Sequence, residues 1–428
     1  MLSLRKPLML QRLKIRSATD LYLVFVAVVL PWQSQQIWRK GITVFHVVNG
    51  ILVCAMLVSF MIRGPRPRWL LIVPMYVYWF GSFLGMFNSE VYWMNAYTLV
   101  QDVYLYVWFV LLCMLLDTEE RVERLIVAWI LVLILVLSTE GFLASIQGTQ
   151  RGEFSFRNPN RASAYLTLTF FLLLHPVIPL PLKAVLGLLV FSGVRATGSA
   201  AGSIGLTLAV FVFGWSLCYM RSPRLGRPLL LLGLVALALF VLVMNPTKSS
   251  DLPTVLGSLA PTAAGRIERS SETREEIWAK GLESFREHPL GIGPASFHRQ
   301  IDTGISDDGR IELHSDPVAT LVERGIVGIL GYLLLLGFVV REVFRMMHRS
   351  SEWRDVIWAA ALSGACAVYF FYSITHEALH HETFWLMLAL IFSQVKILEQ
   401  KRSLDPIIDA RRIRVGAKRI RAIQVGAQ

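Results

Sequence analysis

The stretch "HSDPVATLVERGIVGILGYLLLLGFVVRE", residues 314–342, decides how the chain folds. From 317 to 340 it is long and apolar enough to cross about 30 Å of hydrocarbon as a helix. Runs of this kind recur from end to end of the 428 residues, of which 54% are hydrophobic and only 17% charged. Mean hydropathy is +0.53. A soluble domain of this length would alternate its apolar runs and carry more charge, so the bilayer is the solvent for this sequence. The expected fold class is an all-α polytopic membrane protein.

About twelve spans are expected, near 18–32, 42–62, 68–87, 97–116, 123–145, 162–178, 180–194, 200–220, 228–245, 317–340, 355–375 and 381–398. The sixth and seventh meet at "HPVIPLPLK", where Pro176, Pro179 and Pro181 leave only a tight turn. The chain thus divides into spans one to nine within 1–246, a hydrophilic loop at 247–316, spans ten to twelve within 317–398, and a basic tail at 399–428. No early apolar stretch ends in a small-residue cleavage site, so no cleaved signal peptide is expected. Cys54, Cys113, Cys218 and Cys366 all fall in apolar runs and read as small hydrophobes, not as disulfides or metal ligands.

A net charge of +12 would suggest nucleic acid in a soluble protein. In a membrane protein it reports lysine and arginine kept on the cytoplasmic side, and no nucleic-acid partner is expected. Arg5, Lys6, Arg12, Lys14 and Arg16 mark one set of loops, continued by Arg63, Arg66, Arg68, Arg221, Arg224 and Arg227. Arg341, Arg345, Arg349 and Arg354 belong to the same set, as does the tail from Lys396. Both termini are therefore expected in the cytoplasm and the 247–316 loop outside. The tail "ARRIRVGAKRIRAI" either lies on anionic headgroups or is a solvated segment that fixes topology.

The long loop has structure of its own. In "SSETREEIWAKGLESFREHPLGIGPASF" Thr273 stands three residues before Glu276, a capping-box start. Ile277, Trp278, Leu282 and Phe285 then share one side of a helix that His288-Pro289 closes. Such a helix needs an apolar surface, either the tops of the spans or the bilayer interface. Arg266, Arg269 and Arg274 stand at its entry, and His314 follows it just ahead of the tenth span.

"LHSDPVATLVERGIVG" resembles the signature of the O-antigen ligase and polymerase superfamily: a histidine, here His314, then a helix carrying Leu321, Glu323, Gly325 and Gly328. The outer segment, with its arginines, tryptophan, "HPL" and "GIG", is similar to that family's outer loop. "GEFSFRNPNRASAYL" resembles its "NPN" entry to a middle span, and "FSGVRATGSAAG" its Thr/Ser-Arg-Gly/Ala step, carrying Arg195. Val194 departs from that step, standing where a hydroxyl residue is usual. The resemblance covers most of 150–345, and the first 150 residues match only in hydropathy.

The resemblance implies transfer of a glycan from undecaprenyl diphosphate to a sugar hydroxyl, at the outer face of the bacterial inner membrane. In ligases the acceptor is lipid A-core; in polymerases it is another carrier-linked repeat unit. The residue chemistry suits this. A departing lipid diphosphate needs fixed cations, and guanidinium forks match its oxygens bidentately. Arg195 and Arg266 are the first candidates, with Arg157, Arg161 and Arg269 as helpers; each would otherwise serve as a headgroup anchor or topology signal. The acceptor hydroxyl needs a base, and an imidazole at position 314 is suited to that role. The alternative for His314 is a polar cap beside Ser315 and Asp316. Glu323, over two helical turns into the span, is expected to face protein or water in a supporting role. If arginines handle the diphosphate, no metal or other cofactor is required. Direct attack without a protein nucleophile would invert the anomeric centre.

One motif competes with this reading. "SITHEALHHETFW", residues 373–385, contains His-Glu-x-x-His, the zinc-peptidase spacing. Such a site needs a third protein ligand and an open position, and nothing else resembles a protease. His376, Glu377, His380 and His381 are instead expected at the outer end of the eleventh span, with His376 supporting the site. Other intramembrane polar residues are few: Gln101, Asp102 and Glu140. A flippase would carry midplane charges or broken helices in repeated halves, which the sequence does not show. An O-antigen ligase is the first reading and a polymerase the second, with undecaprenyl-linked donor, lipid A-core acceptor and membrane lipids as partners.

Overall fold

The computed structural model describes residues 15–32, 44–63, 70–137, 158–226, 228, 261–301 and 313–425; over 261–273 and 404–425 it describes the backbone alone. Among these residues the regular elements are all helical. They are α1 (Ala18–Val29), α2 (Val44–Arg63), α3 (Ile72–Met86), α4 (Tyr92–Leu115), α5 (Glu119–Leu137), α6 (Pro159–Leu172), α7 (Leu180–Ala196), α8 (Ala200–Arg221), α9 (Pro261–Glu287), α10 (Phe297–Gln300), α11 (Asp316–Arg349), α12 (Trp353–Thr375) and α13 (Glu382–Val425). A helix stands at each expected span but the ninth, 228–245, which lies outside the described residues. Tyr92–Leu115, Ala201–Arg221, Asp316–Arg349 and Trp353–Thr375 are long and apolar enough to cross a membrane, while Ala18–Val29 and Ile72–Met86 are apolar but shorter.

Local chemistry sets the helix starts. Ser17 accepts from the Asp20 N–H and Ser199 from the Gly202 N–H. Asn158 accepts from the N–H groups of both Asn160 and Arg161, with Pro159 in the first turn. The "NPN" motif is thus a helix start, in which an asparagine cap supplies the missing acceptor and proline supplies a preset φ.

The helices pack through small residues and aromatics. α3 lies along α11, where a Cβ on Gly81 would collide with the Gly328 nitrogen and one on Gly331 with the Tyr78 nitrogen. Backbones this close need glycine on the contact line. α12 packs on α8, α5 on α1, and α13 on α4. Within the core Trp129 stacks on Tyr165 at 4.8 Å and donates to Thr169 at 2.9 Å.

The two ends of the bundle differ. One carries structural ion pairs: Arg124 with Asp20 and Glu120, Arg354 with Glu123, Lys401 with Asp355 and Glu119, and Arg345 with Glu342 and Glu399. The other gathers the carboxyl ends of α3, α7 and α12 with the amino ends of α4, α6, α8, α11 and α13. The 274–301 segment folds onto that end. α9 rests on α11 through Ile277, Gly281 and Ser284, which are buried, whereas Leu282 is exposed. A Cβ on Gly281 would approach Leu313 and Val322 to 3.1 Å, so glycine sets the depth of this contact. Thr273 is not a cap, because α9 begins twelve residues earlier at Pro261, a residue suited to a first helical position.

Candidate functional site

The site is built on a break in α11. Gly325 has φ 65° and ψ −166°, backbone that only glycine adopts without strain. Helical hydrogen bonds fail there and the 289–293 segment replaces them. The Ile326 N–H, which would reach Val322 in a regular helix, donates to the Pro289 carbonyl at 3.0 Å. Val322 accepts instead from Ile292 at 3.2 Å, and the Glu323 carbonyl from Gly293 at 2.8 Å. A Cβ on Gly325 would collide with the Leu290 carbonyl carbon. "HPLGIGPASF" is therefore spliced into the helix, not draped over it. The Glu323 carboxylate completes the junction by accepting from the Ala295 N–H at 2.8 Å and the Phe297 N–H at 3.4 Å. From α4 and the turn before it, Asn95 and Ser89 hold Ser296, each at 2.9 Å.

Eleven residues before Gly325, just ahead of α11, lies His314, with a left-handed backbone at φ 48°. Trp278 of α9 donates to the Leu313 carbonyl at 2.9 Å, fixing the residue before it. The His314 ring faces that of His376 at 6.4 Å between centroids. His376 ends α12: its N–H donates to Tyr372 at 2.6 Å, its Nδ1 lies 3.1 Å from the Thr375 hydroxyl, and its ring lies 5.2 Å from the Tyr372 ring. Burial, then the neighbouring Arg274 guanidinium, pushes its pKa down to about 3, so the ring is neutral at working pH. The Tyr372 hydroxyl donates to the Asn160 carbonyl at 2.8 Å, and Ser199 donates to the Asn160 side chain at 2.9 Å. The "NPN" start and the turn after Arg195 are thereby tied to the His376 end of α12.

Behind the imidazoles runs a row of alternating charge. His380 Nδ1 lies 3.5 Å from Glu377 and its Nε2 3.2 Å from Asp102. The other Asp102 oxygen lies 2.8 Å from Arg324 Nη2, and both of those side chains are buried. Arg324 also meets the Ser82 hydroxyl and lies 4.2 Å over the Tyr78 ring. Burial acts against a charge on His380, but Asp102 and Glu377 outweigh it and hold its pKa well above the ordinary histidine value. Asp316 accepts from the N–H groups of Ala378 and Leu379 at 2.9 and 3.2 Å, clamping the same connection from α11. His381 is pushed well below its usual value by burial and then by the Arg161 cation.

Of the expected site residues, His314 and His376 face each other, Glu323 is engaged with the 295–297 turn, and Arg161 lies near His381. Arg195 is exposed in the last turn of α7. Arg266 and Arg269 lie on the backbone of α9, their side chains outside the description, and Arg157 lies outside the described residues. Sequence reasoning assigns no role to Arg274, Arg324, Asp316 or Tyr372. Arg324 is hidden beside Glu323 in the apolar run, and the only hint of it is Asp102, a lone carboxylate in a span without an obvious partner. Residues 376–381 form a non-helical connection, so the His-Glu-x-x-His spacing does not place two imidazoles on one helical face. Among the described residues no three His, Cys, Asp or Glu side chains are grouped to hold a metal. The cysteines are free, with Cys113 and Cys366 buried but Cys54 and Cys218 exposed.

A bundle with helices long and apolar enough to cross a membrane, one of them broken at Gly325 where the 289–297 segment docks, is the architecture of a membrane protein. Residues 185–333 match the family model of O-antigen ligase, a family of membrane enzymes that process glycans by ligation or polymerisation. That stretch, about a third of the chain, holds Arg195, the 247–316 segment, His314 and Glu323 and supports the superfamily resemblance there; the "NPN" motif lies outside it. The teichuronic acid biosynthesis protein TuaE of Bacillus subtilis (strain 168) is 23% identical over 264 residues, covering 58% of this chain and 53% of that protein. The chain therefore spans about half the length of the curated relative it matches.

Proposed function

We propose that the protein transfers a glycan from undecaprenyl diphosphate to a sugar hydroxyl of lipid A-core, as an O-antigen ligase of the inner membrane working on its outer face. One observation carries the reading: His314 is fixed by a left-handed turn at a mouth it shares with the neutral His376 and the Arg274 guanidinium. His314 takes the acceptor proton as the new bond forms, a contribution of about 10²–10⁴ in rate. Neutral His376 adds no second charge beside the base. Arg274 has no ion-pair partner among the described residues, and neither do Arg161 and Arg195. These guanidiniums, with Arg266, Arg269 and Arg157 on the adjoining segments, receive the diphosphate. Glu323 keeps the outer loop seated. Transfer is direct and metal-independent, and it inverts the anomeric centre. The lipid tail stays between helices, since each CH₂ exposed to water would cost about 0.8 kcal/mol.

The test is a purified assay with a defined undecaprenyl-diphosphate-linked donor and both kinds of acceptor. Transfer to lipid A-core, surviving exhaustive chelation and giving inverted product, is the expected result. A covalent glycosyl-enzyme or a retained linkage would refute the direct step. Extension of carrier-linked repeats alone would establish polymerisation, which the relative's naming for teichuronic acid biosynthesis keeps as the second reading. Movement of unaltered glycolipid across proteoliposomes would mark a flippase instead.

A further inference from the structure

The charge row behind the imidazoles joins the helix break to the base. At one end Arg324 lies between Glu323, which seats the outer loop, and Gly325, where α11 breaks. At the other end Glu377 follows His376, whose ring faces His314. Asp102 of α4 stands in the middle, one oxygen toward Arg324 and the other toward His380. Both nitrogens of the His380 ring face carboxylates, at 3.2 and 3.5 Å. These are ion-pair separations without hydrogen-bond alignment, and a carboxylate beside each nitrogen favours the protonated ring. The titratable groups around it are Asp102 from α4, Asp316 from α11, and Glu377 and His381 from its own connection, with Arg324 beyond Asp102. The row alternates in sign from the buried Arg324–Asp102 pair to the half-buried His380 and Glu377, which leaves neither buried ion uncompensated.

We propose that Asp102 is a positioning residue for the transfer, acting through His380 to hold the 376–381 connection so that His376 and His314 keep their facing geometry. This rests on His314 serving as the base. Asp316 holds the connection by its backbone at Ala378 and Leu379. Asp102 supplies the second point, and a segment held at two points keeps a fixed orientation where one point leaves it free to pivot. The sensitivity of catalysis to such a pivot is steep, since a misplacement of about 1 Å can cost on the order of 100-fold in rate.

The experiment uses the full-length protein in lipid nanodiscs with undecaprenyl-diphosphate-linked donor and a sugar-hydroxyl acceptor. It compares wild type, Asp102→Asn, Asp102→Glu and His380→Gln by kcat, donor KM and pH profile per folded molecule. Asp102→Asn should lose on the order of 10- to 100-fold in kcat while KM changes by less than about twofold. Its activity should also fall at lower pH than the wild type's, because one carboxylate holds the His380 proton less firmly than two. Asp102→Glu should regain most of the rate. Should Asp102→Asn fail to fold, His380→Gln decides the matter: it leaves the Asp102–Arg324 pair intact, and it should lose kcat without any such alkaline fall. Wild-type kcat in either variant, or a loss of folded protein with kcat and pH profile unchanged, overturns the inference. A wild type that transfers nothing refutes the transferase activity itself, a different outcome.

Discussion

His314 sits in a backbone conformation that asparagine tolerates and most other residues do not, at φ 48°. His314→Asn should therefore abolish transfer with donor binding and thermal stability kept, whereas His314→Ala adds strain of about 1–3 kcal/mol. Unchanged turnover in the asparagine variant would exclude His314 as base. Arg266→Lys should impair transfer despite the retained charge, because the fork that grips two phosphate oxygens is lost; wild-type kinetics would remove a bidentate role. The histidines also set a pH response. His376 and His381 are depressed in the folded protein, so the unfolded chain binds more protons below the ordinary histidine value of about 6.5, and stability rises with pH up to there. His380 is raised, so its stabilisation is complete below about 6.5 and is lost as pH climbs through its folded value. Thermal unfolding in detergent should then peak near that pH; a melting temperature still rising through pH 8 would contradict the pairing of His380 with two carboxylates. Of these residues, His314, Glu323 and His376 are legible in the sequence because motif or clustering marks them. Asp102 and Arg324 are not, because they lie far apart in sequence and meet only when α4 crosses α11.

At the level of elements the spans are legible and the break is not. Length and apolar content announce α11, but the hydropathy of "LVERGIVGIL" is the same whether the helix runs straight or stops at Gly325. What reveals the break is the partner segment, Pro289 to Gly293, whose fit depends on distances that sequence does not carry. The start of α9 is misplaced by the sequence for a related reason: a capping box is a local pattern, and Thr273-Glu276 occurs here inside a longer helix. Gly325→Ala would force a Cβ against the Leu290 backbone and impose left-handed strain, with an expected cost of about 1–3 kcal/mol from the strain alone. Limited proteolysis between residues 288 and 297 should then quicken; wild-type resistance would show that the loop is held by other contacts. Gly81→Val should also destabilise, since its side chain would meet the backbone of Gly328 on the α3–α11 seam, and a fall in melting temperature checks it.

For the molecule as a whole, the distribution of cations predicts that the mouth faces away from the cytoplasm. A cysteine placed at the exposed Glu283 of α9 should react with an impermeant maleimide in intact spheroplasts, after the four native cysteines are replaced. Reaction only after permeabilisation would put the outer segment in the cytosol and remove the proposed site from its donor. The architecture also bears on assembly. The segment that completes α11 precedes it in the chain, and with the mouth outward that segment must be exported before α11 can acquire its missing backbone partners. Maturation of the carboxy-terminal quarter is thus coupled to secretion: a nascent chain stalled before residue 316 should display a protease-labile external arm, and one released with α11 in place should hide it.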